Sequence, residues 1–162
     1  MRSWAEIDLA KLERNLRVIR ESIPSHFKYI SVVKADAYGH GAIAVAQTVL
    51  EAGANALAVA TLGEGIELRE AGITAPILIL GAINTPEEIA AIAHWNIEPT
   101  LCDPQQAIIF SQTLSQWEKP LSVHLKLDTG MSRLGMPWHQ GTEFASLVKK
   151  LPYLKLNSVY SH

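Results

Sequence analysis

Apolar residues recur along this chain in two alternating rhythms. Leu9, Leu12, Leu16, Ile19 and Ile23 follow one another at steps of three and four, the stripe of an amphipathic helix. Asp8 precedes the stripe as an N-cap and Pro24 stops it. A run from Tyr29 to Val33 then predicts a buried strand, and Gly41 to Ala52 predicts an alanine-rich helix closed by Gly53. Ala56–Ala60 predicts a strand. Thr61 with Glu64 three residues on is a capping box, and opens a helix that runs to Ala71 and Gly72. Pro76–Leu80 is the next predicted strand. Thr85-Pro86-Glu87-Glu88 joins a cap, a first-turn proline and acids suited to the helix dipole. Strands follow over Ile97–Leu101, Leu121–Leu127 and Leu154–Tyr160, with helices opening at Asp103-Pro104 and running over Trp138–Lys150.

Six predicted strands separated by helices argue for βαβ units and a parallel sheet. No linker, low-complexity tract or charge block divides the chain. Two architectures satisfy the pattern, a closed barrel and an open doubly wound sheet. Both carry their sites at the C-terminal ends of the strands.

Composition narrows the function. The chain has 162 residues, 48% apolar and 19% charged, enough apolar content to build a core. A formal net charge of −2 and the lack of a basic stripe argue against nucleic acid or an anionic membrane as partner. Cys102 is the single cysteine, which excludes an internal disulfide and a cysteine metal cage. The histidines show no metal-ligand spacing. The N-terminus is charged where a signal peptide is apolar, and no run is long and uncharged enough to span a membrane. These features predict a soluble, cytoplasmic protein.

The unusual residues lie at strand ends. Lys34 ends the first predicted strand, within SVVKADAYGHGA. HLKLDTGMSRLG carries Lys126, Asp128 and Arg133 at the end of the fifth, and Ser161-His162 end the sixth. Such groups are costly to bury unless paired or in use. Gly39-x-Gly41-x-x-Ala44 formally matches a dinucleotide fingerprint, with Glu64 as a candidate ribose acid. In that fingerprint the glycines follow the strand directly, whereas Lys34 to Tyr38 intervene here. A solvated lysine at a strand end is the plain alternative. Chemistry offers a third reading. A neutral lysine amine is a nucleophile toward an aldehyde, once burial or nearby positive charge lowers its pKa from ~10.4. Tyr38 could offer a hydroxyl to a phosphate, and Gly39 and Gly41 would let a ligand approach the backbone. Pyridoxal 5'-phosphate (PLP) needs those groups. Asp128-Thr129-Gly130 also spells the aspartic-protease triplet, but that chemistry needs paired carboxylates in an all-β setting.

At this point a resemblance takes over. VVKADAYGHGA closely resembles the PLP-lysine motif of alanine racemases, and KLDTGMSRLG resembles a second motif of that family. WAEIDLAKLERNL is similar to the family's N-terminus, and GEGIELREAGI to the helix after its second strand. The matches run in order from Trp4 to His162. The resemblance implies a (β/α)8 TIM-type barrel, then a β-rich C-terminal domain, in a head-to-tail homodimer. It implies that Lys34 holds PLP as an aldimine and is one of two catalytic bases, and that Tyr38 contacts the cofactor phosphate. It implies that Arg133 holds the substrate carboxylate, that Lys126 is a candidate carbamylated lysine beside it, and that His162 lies in the network behind the pyridine ring. The implied activity is interconversion of L- and D-alanine for peptidoglycan synthesis, with no metal.

Length departs from the family. A complete barrel takes ~250 residues, and about six βα units are readable here. The expectation is that residues 1–162 are the N-terminal part of the barrel domain, without the C-terminal β domain that carries the second base, a tyrosine of the partner subunit. The chain alone is then expected to be inactive. Three alternatives stay open: a non-catalytic PLP-binding barrel protein, a dinucleotide-binding oxidoreductase, and, at Lys126, a plain salt bridge to Asp128.

Overall fold

A computed structural model describes residues 4–117 and 119–162. Among them the chain alternates strands and helices: α1 (Leu9–Glu21), β1 (Ile30–Val32), a helical segment α2 (Lys34–Gly39), α3 (Ala42–Glu51), β2 (Ala56–Val59), α4 (Leu62–Glu70), β3 (Ile77–Ile79), α5 (Pro86–Trp95), β4 (Glu98–Leu101), α6 (Pro104–Leu114), β5 (Leu121–Asp128), β6 (Met136–Pro137), α7 (Gly141–Lys150) and β7 (Leu154–Ser161). The chain divides into two compact units, Met1–Ile77 and Leu78–His162.

In the first unit β1 and β2 pair in parallel, Ser31 opposite Leu57. Leu57 N–H in turn donates to the Pro76 carbonyl at 2.9 Å. Helix α3 packs Val45, Ala46 and Val49 inward, and β2 buries Leu57, Ala58 and Val59 completely or nearly so. The predicted capping box is present, with Thr61 Oγ1 accepting from Glu64 N–H and Glu64 reaching back to Thr61.

In the second unit β3 pairs with β4, β4 with β5, and β5 with both β6 and β7, every pair parallel. Its core holds Phe110, Phe144, Ile89, Ile92, Leu101, Leu114 and Leu125, each 1% exposed or less. The predicted cap at Thr85 is part of a second capping box, formed with Glu88. Asp103 caps α6 through Gln106 N–H at 2.9 Å.

Several expectations need correction. The helix stripe of α1 is real, but only Leu16 is buried and Ile19 is 47% exposed. The strand at 29–33 shortens to Ile30–Val32, with both of those side chains 42% exposed. Ser31 and Val33 are buried while Ile30 and Val32 are not, so an apolar run that reads as buried on two faces is covered on one. The expected six strands become seven among the described residues, because two residues, Met136 and Pro137, pair with Leu127 and Asp128. The last helix begins at Gly141, after a 3-10 turn over Trp138–Gln140 that follows extended Pro137. The largest departure is α2. Ala35, Asp36, Ala37 and Tyr38 have φ between 51° and 57°, a left-handed helical turn directly after β1.

Candidate functional site

In the first unit, Val33 is buried and Lys34, next along, is half-buried. The left-handed turn starts there. Four consecutive non-glycine residues in this conformation cost roughly 1–2 kcal/mol each, so the turn persists only where the surroundings over-determine it. They do so through several bonds. Ala37 N–H donates to the Val33 carbonyl at 2.9 Å, and Gly41 N–H to the Asp36 carbonyl at 3.0 Å. The Asp36 carboxylate accepts from Ala42 N–H at 2.7 Å, and the Glu64 carboxylate accepts from Ala35 N–H at 2.9 Å. His40 Nδ1 lies 2.9 Å from the Ala37 carbonyl oxygen. Asp36 and His40 are both fasteners of this turn.

The turn brings Lys34 and Tyr38 together, with Nζ 6.0 Å from the ring centroid. Tyr38 is 61% exposed, so its hydroxyl is open to solvent or a ligand. Gly39 and Gly41 both have positive φ, with open space where a Cβ would stand. The same geometry answers the dinucleotide reading. A left-handed turn separates the strand from the glycines, and Glu64 is committed to backbone N–H groups rather than free for a ribose.

In the second unit the strands carry a polar face. Thr100 of β4 lies opposite His124 of β5, which lies opposite Ser158 of β7. His124 Nδ1 is 2.7 Å from Ser158 Oγ, and Nε2 is 2.6 Å from a Glu98 carboxylate oxygen. Towards the strand ends, Lys126 Nζ lies 5.6 Å from the Tyr160 ring centroid, and the Tyr160 hydroxyl is 2.7 Å from Thr100 Oγ1. Thr100 donates in turn to the Ile79 carbonyl at 2.6 Å. Burial raises the Tyr160 phenol above its ordinary pKa, partly offset by the Thr100 bond. Burial raises the half-buried Cys102 thiol as well, the nearby Lys126 charge opposing it. Cys102 is therefore a small, half-buried packed thiol.

A β-bulge makes this face. The register of β5 and β7 shifts between Val123 and His124, so Val123 faces Leu156 while His124 faces Ser158. The extra residue, Asn157, reverses the side on which the following residues point. Without it, Ser158 and Tyr160 would share the side of Leu156 rather than that of His124 and Lys126.

Lys126 is 5% exposed and forms no salt bridge to Asp128, the pairing held open from the sequence. The Asp128 carboxylate is taken by its own loop, accepting from Ser132 N–H at 2.9 Å and Gly130 N–H at 3.0 Å. Those bonds, Ser132's first, hold its pKa below the usual carboxylate value. Arg133 stands exposed on this loop, and Gly135 lays the returning chain against the backbone of β5. His162 is exposed, directly after β7. Among the described residues no cluster of His, Cys, Asp or Glu could hold a metal ion.

Comparison with known proteins adds a direct observation. A family profile described as "Alanine racemase, N-terminal domain" matches residues 7–162. The chain belongs to this family. It is 62% identical over 161 residues to an alanine racemase of Synechocystis, covering 99% of this chain and 43% of that protein. Among solved structures it is similar to an alanine racemase of Clostridium difficile, with TM-score 0.93 and 34% identity, covering all of this chain and 42% of the other. It is also similar to the Bacillus anthracis alanine racemase with bound L-Ala-P, with TM-score 0.86 and 37% identity over 98% of this chain and 41% of that one. This racemase-family chain thus spans about two fifths of the length of the relatives it matches, and its parallel βα units are those of an incomplete (β/α)8-type barrel.

The sequence missed Glu98, His124, Ser158, Thr100 and Tyr160. The signal for part of this was present: Ser122, His124, Lys126 and Asp128 alternate with Leu121, Val123, Leu125 and Leu127, a two-faced strand. The bulge at Asn157 left no such signal.

Proposed function

We propose that this chain is the N-terminal part of the barrel domain of a PLP-dependent alanine racemase. The observation that carries the proposal is the strained turn that fixes Lys34 beside Tyr38, in a chain of this family. The family is PLP-dependent, and the residues of the first unit fit that group. They supply a half-buried primary amine, a nearby exposed phenol, and glycine backbone with open space beside it.

In this reading Lys34 attaches the cofactor, and Tyr38 offers its hydroxyl to the phosphate. PLP, when bound, supplies an electron sink for the charge left when an α-proton departs. Lys34 then moves a proton at one face of the substrate α-carbon. Arg133 pairs its planar guanidinium with the substrate carboxylate, the bidentate geometry for which arginine is suited. His162 supports the cofactor ring. Lys126, buried and beside Tyr160, is the candidate for carbamylation. The opposite face requires a second base, assigned in this reading to a C-terminal region of the partner subunit in a homodimer.

The substrate proposed is alanine, after the names of the relatives. D-alanine for peptidoglycan is the proposed product, and the cytoplasm the proposed location. A net charge of −2, and the lack of any helix long and apolar enough to cross a membrane among the described residues, support a partner set without nucleic acid or lipid.

The test is a graft in which residues 1–162 replace the matching segment of the Synechocystis relative. D-alanine formation from L-alanine is expected from the graft. Lys34→Ala should lower it about 10³-fold, within the range for loss of a proton-transfer group. Full activity in the Lys34→Ala graft would overturn the assignment.

A further inference from the structure

A capping box asks a first-turn glutamate for one service, a bond back to the N-cap N–H. Glu64 does more. Its Oε2 accepts from Thr61 N–H at 3.2 Å and from Ala60 N–H at 2.6 Å, just past β2. Its Oε1 accepts from Ala35 N–H at 2.9 Å, 29 residues earlier in the chain. One half-buried carboxylate therefore ties the entry of α4 and the exit of β2 to the first residue of the left-handed turn.

The peptide plane that carries Ala35 N–H also carries the Lys34 carbonyl. Fixing that plane fixes ψ of Lys34 and φ of Ala35, which is 52°. It therefore fixes the direction in which the Lys34 side chain leaves the backbone. A charge-assisted bond suits the task, because ionised acceptors form the stronger backbone contacts. Asp36 closes the other end of the turn through Ala42, so the two carboxylates hold it from both sides.

We propose that Glu64 is a positioning residue for Lys34. Its Oε1 orients the Lys34–Ala35 peptide so that the amine meets the cofactor aldehyde. This rests on the reading of Lys34 as the PLP lysine.

The test separates the link from the cap. In Glu64→Gln the amide can turn its oxygen toward Ala60 and Thr61, which leaves its NH2 facing Ala35 N–H, donor to donor. In Thr61→Ala the reciprocal cap bond is lost and the link to Ala35 stays. Both are made in the full-length graft, and PLP affinity is measured by titration of its visible absorbance. The pyridoxyl group fixed by borohydride is then located by peptide mapping. Glu64→Gln is expected to weaken PLP binding tenfold or more and to cut labelling of Lys34 to match, with a thermal midpoint no lower than that of Thr61→Ala. Thr61→Ala should bind PLP within twofold of the parent. If Glu64→Gln does not fold, Glu64→Asp, too short to reach both the cap and Ala35, is expected to show the same loss.

Parental affinity in the Glu64 variant, or losses that track thermal stability equally in both substitutions, would overturn the positioning role alone. Absence of label on Lys34 in the parent graft would overturn the PLP reading, and the role of Glu64 with it.

Discussion

Substituting Gly135 by alanine tests how the Arg133 loop is held. Gly135 has φ of 121°, and a Cβ there would stand 2.9 Å from Asp128 N, 2.9 Å from the Lys126 carbonyl oxygen and 3.0 Å from the Leu127 carbonyl carbon. All three atoms are backbone of β5, so no flexible side chain can yield. Two costs add. The strained φ costs about 1–3 kcal/mol, and forced overpacking costs another 1–3 kcal/mol or so. Gly130 in the same loop has φ of 136°, but nothing lies within 4 Å of the point where its Cβ would stand, so Gly130→Ala carries only the first cost. Urea denaturation should therefore find Gly135→Ala destabilised by about 2–6 kcal/mol, and more than Gly130→Ala by about 1–3 kcal/mol. Equal losses in the two variants would refute the close approach of the loop to β5, and with it the account of how Arg133 is placed.

Further expectations follow from the same structure. Because N–H bonds hold the Asp128 carboxylate below its ordinary pKa, its stabilising bonds are complete above pH ~4 and are lost as pH falls through the lowered value. Protection of the Ser132 and Gly130 amides, taken relative to their intrinsic exchange rates at each pH, should fall only below that point, and a loss of protection already near neutral pH would contradict it. Phe110→Ala, at a fully buried position, should cost about 3–5 kcal/mol in the same urea assay. Asp36→Ala removes the acceptor of Ala42 N–H and a residue tolerant of left-handed backbone, for a loss of about 1–2 kcal/mol. Purified 1–162 alone should form no measurable D-alanine from L-alanine, a point that chiral chromatography checks.

The alternation of βα units was legible because the helix stripes, caps and apolar runs are local features. Thr61 with Glu64, Thr85 with Glu88, and Asp103 each sit where the pattern predicts. What escaped was set by tertiary contact. Nothing local in KADAYG announces four left-handed residues, since Ala35 and Ala37 resist that backbone. The turn exists because Glu64, far along the chain, and Asp36 hold it. Likewise His124 reads as an ordinary strand residue until the bulge at Asn157 brings Ser158 onto its face. Lys34, Tyr38, Lys126, Arg133 and His162 stand out by motif, and the structure describes each: a half-buried lysine, an exposed tyrosine, a buried lysine, an exposed arginine and an exposed histidine. Glu64 was legible as a capping acid, but its bond to Ala35 and the hydroxyl contacts around Lys126 were set by the fold.

The central claim is that Lys34 is the amine that takes PLP. Borohydride reduction of the PLP-loaded graft, followed by peptide mapping, tests it most directly. The account predicts one dominant pyridoxyl group, on Lys34, that vanishes in Lys34→Ala. A label spread over surface lysines such as Lys28 and Lys149, or one that survives Lys34→Ala unchanged, would contradict it.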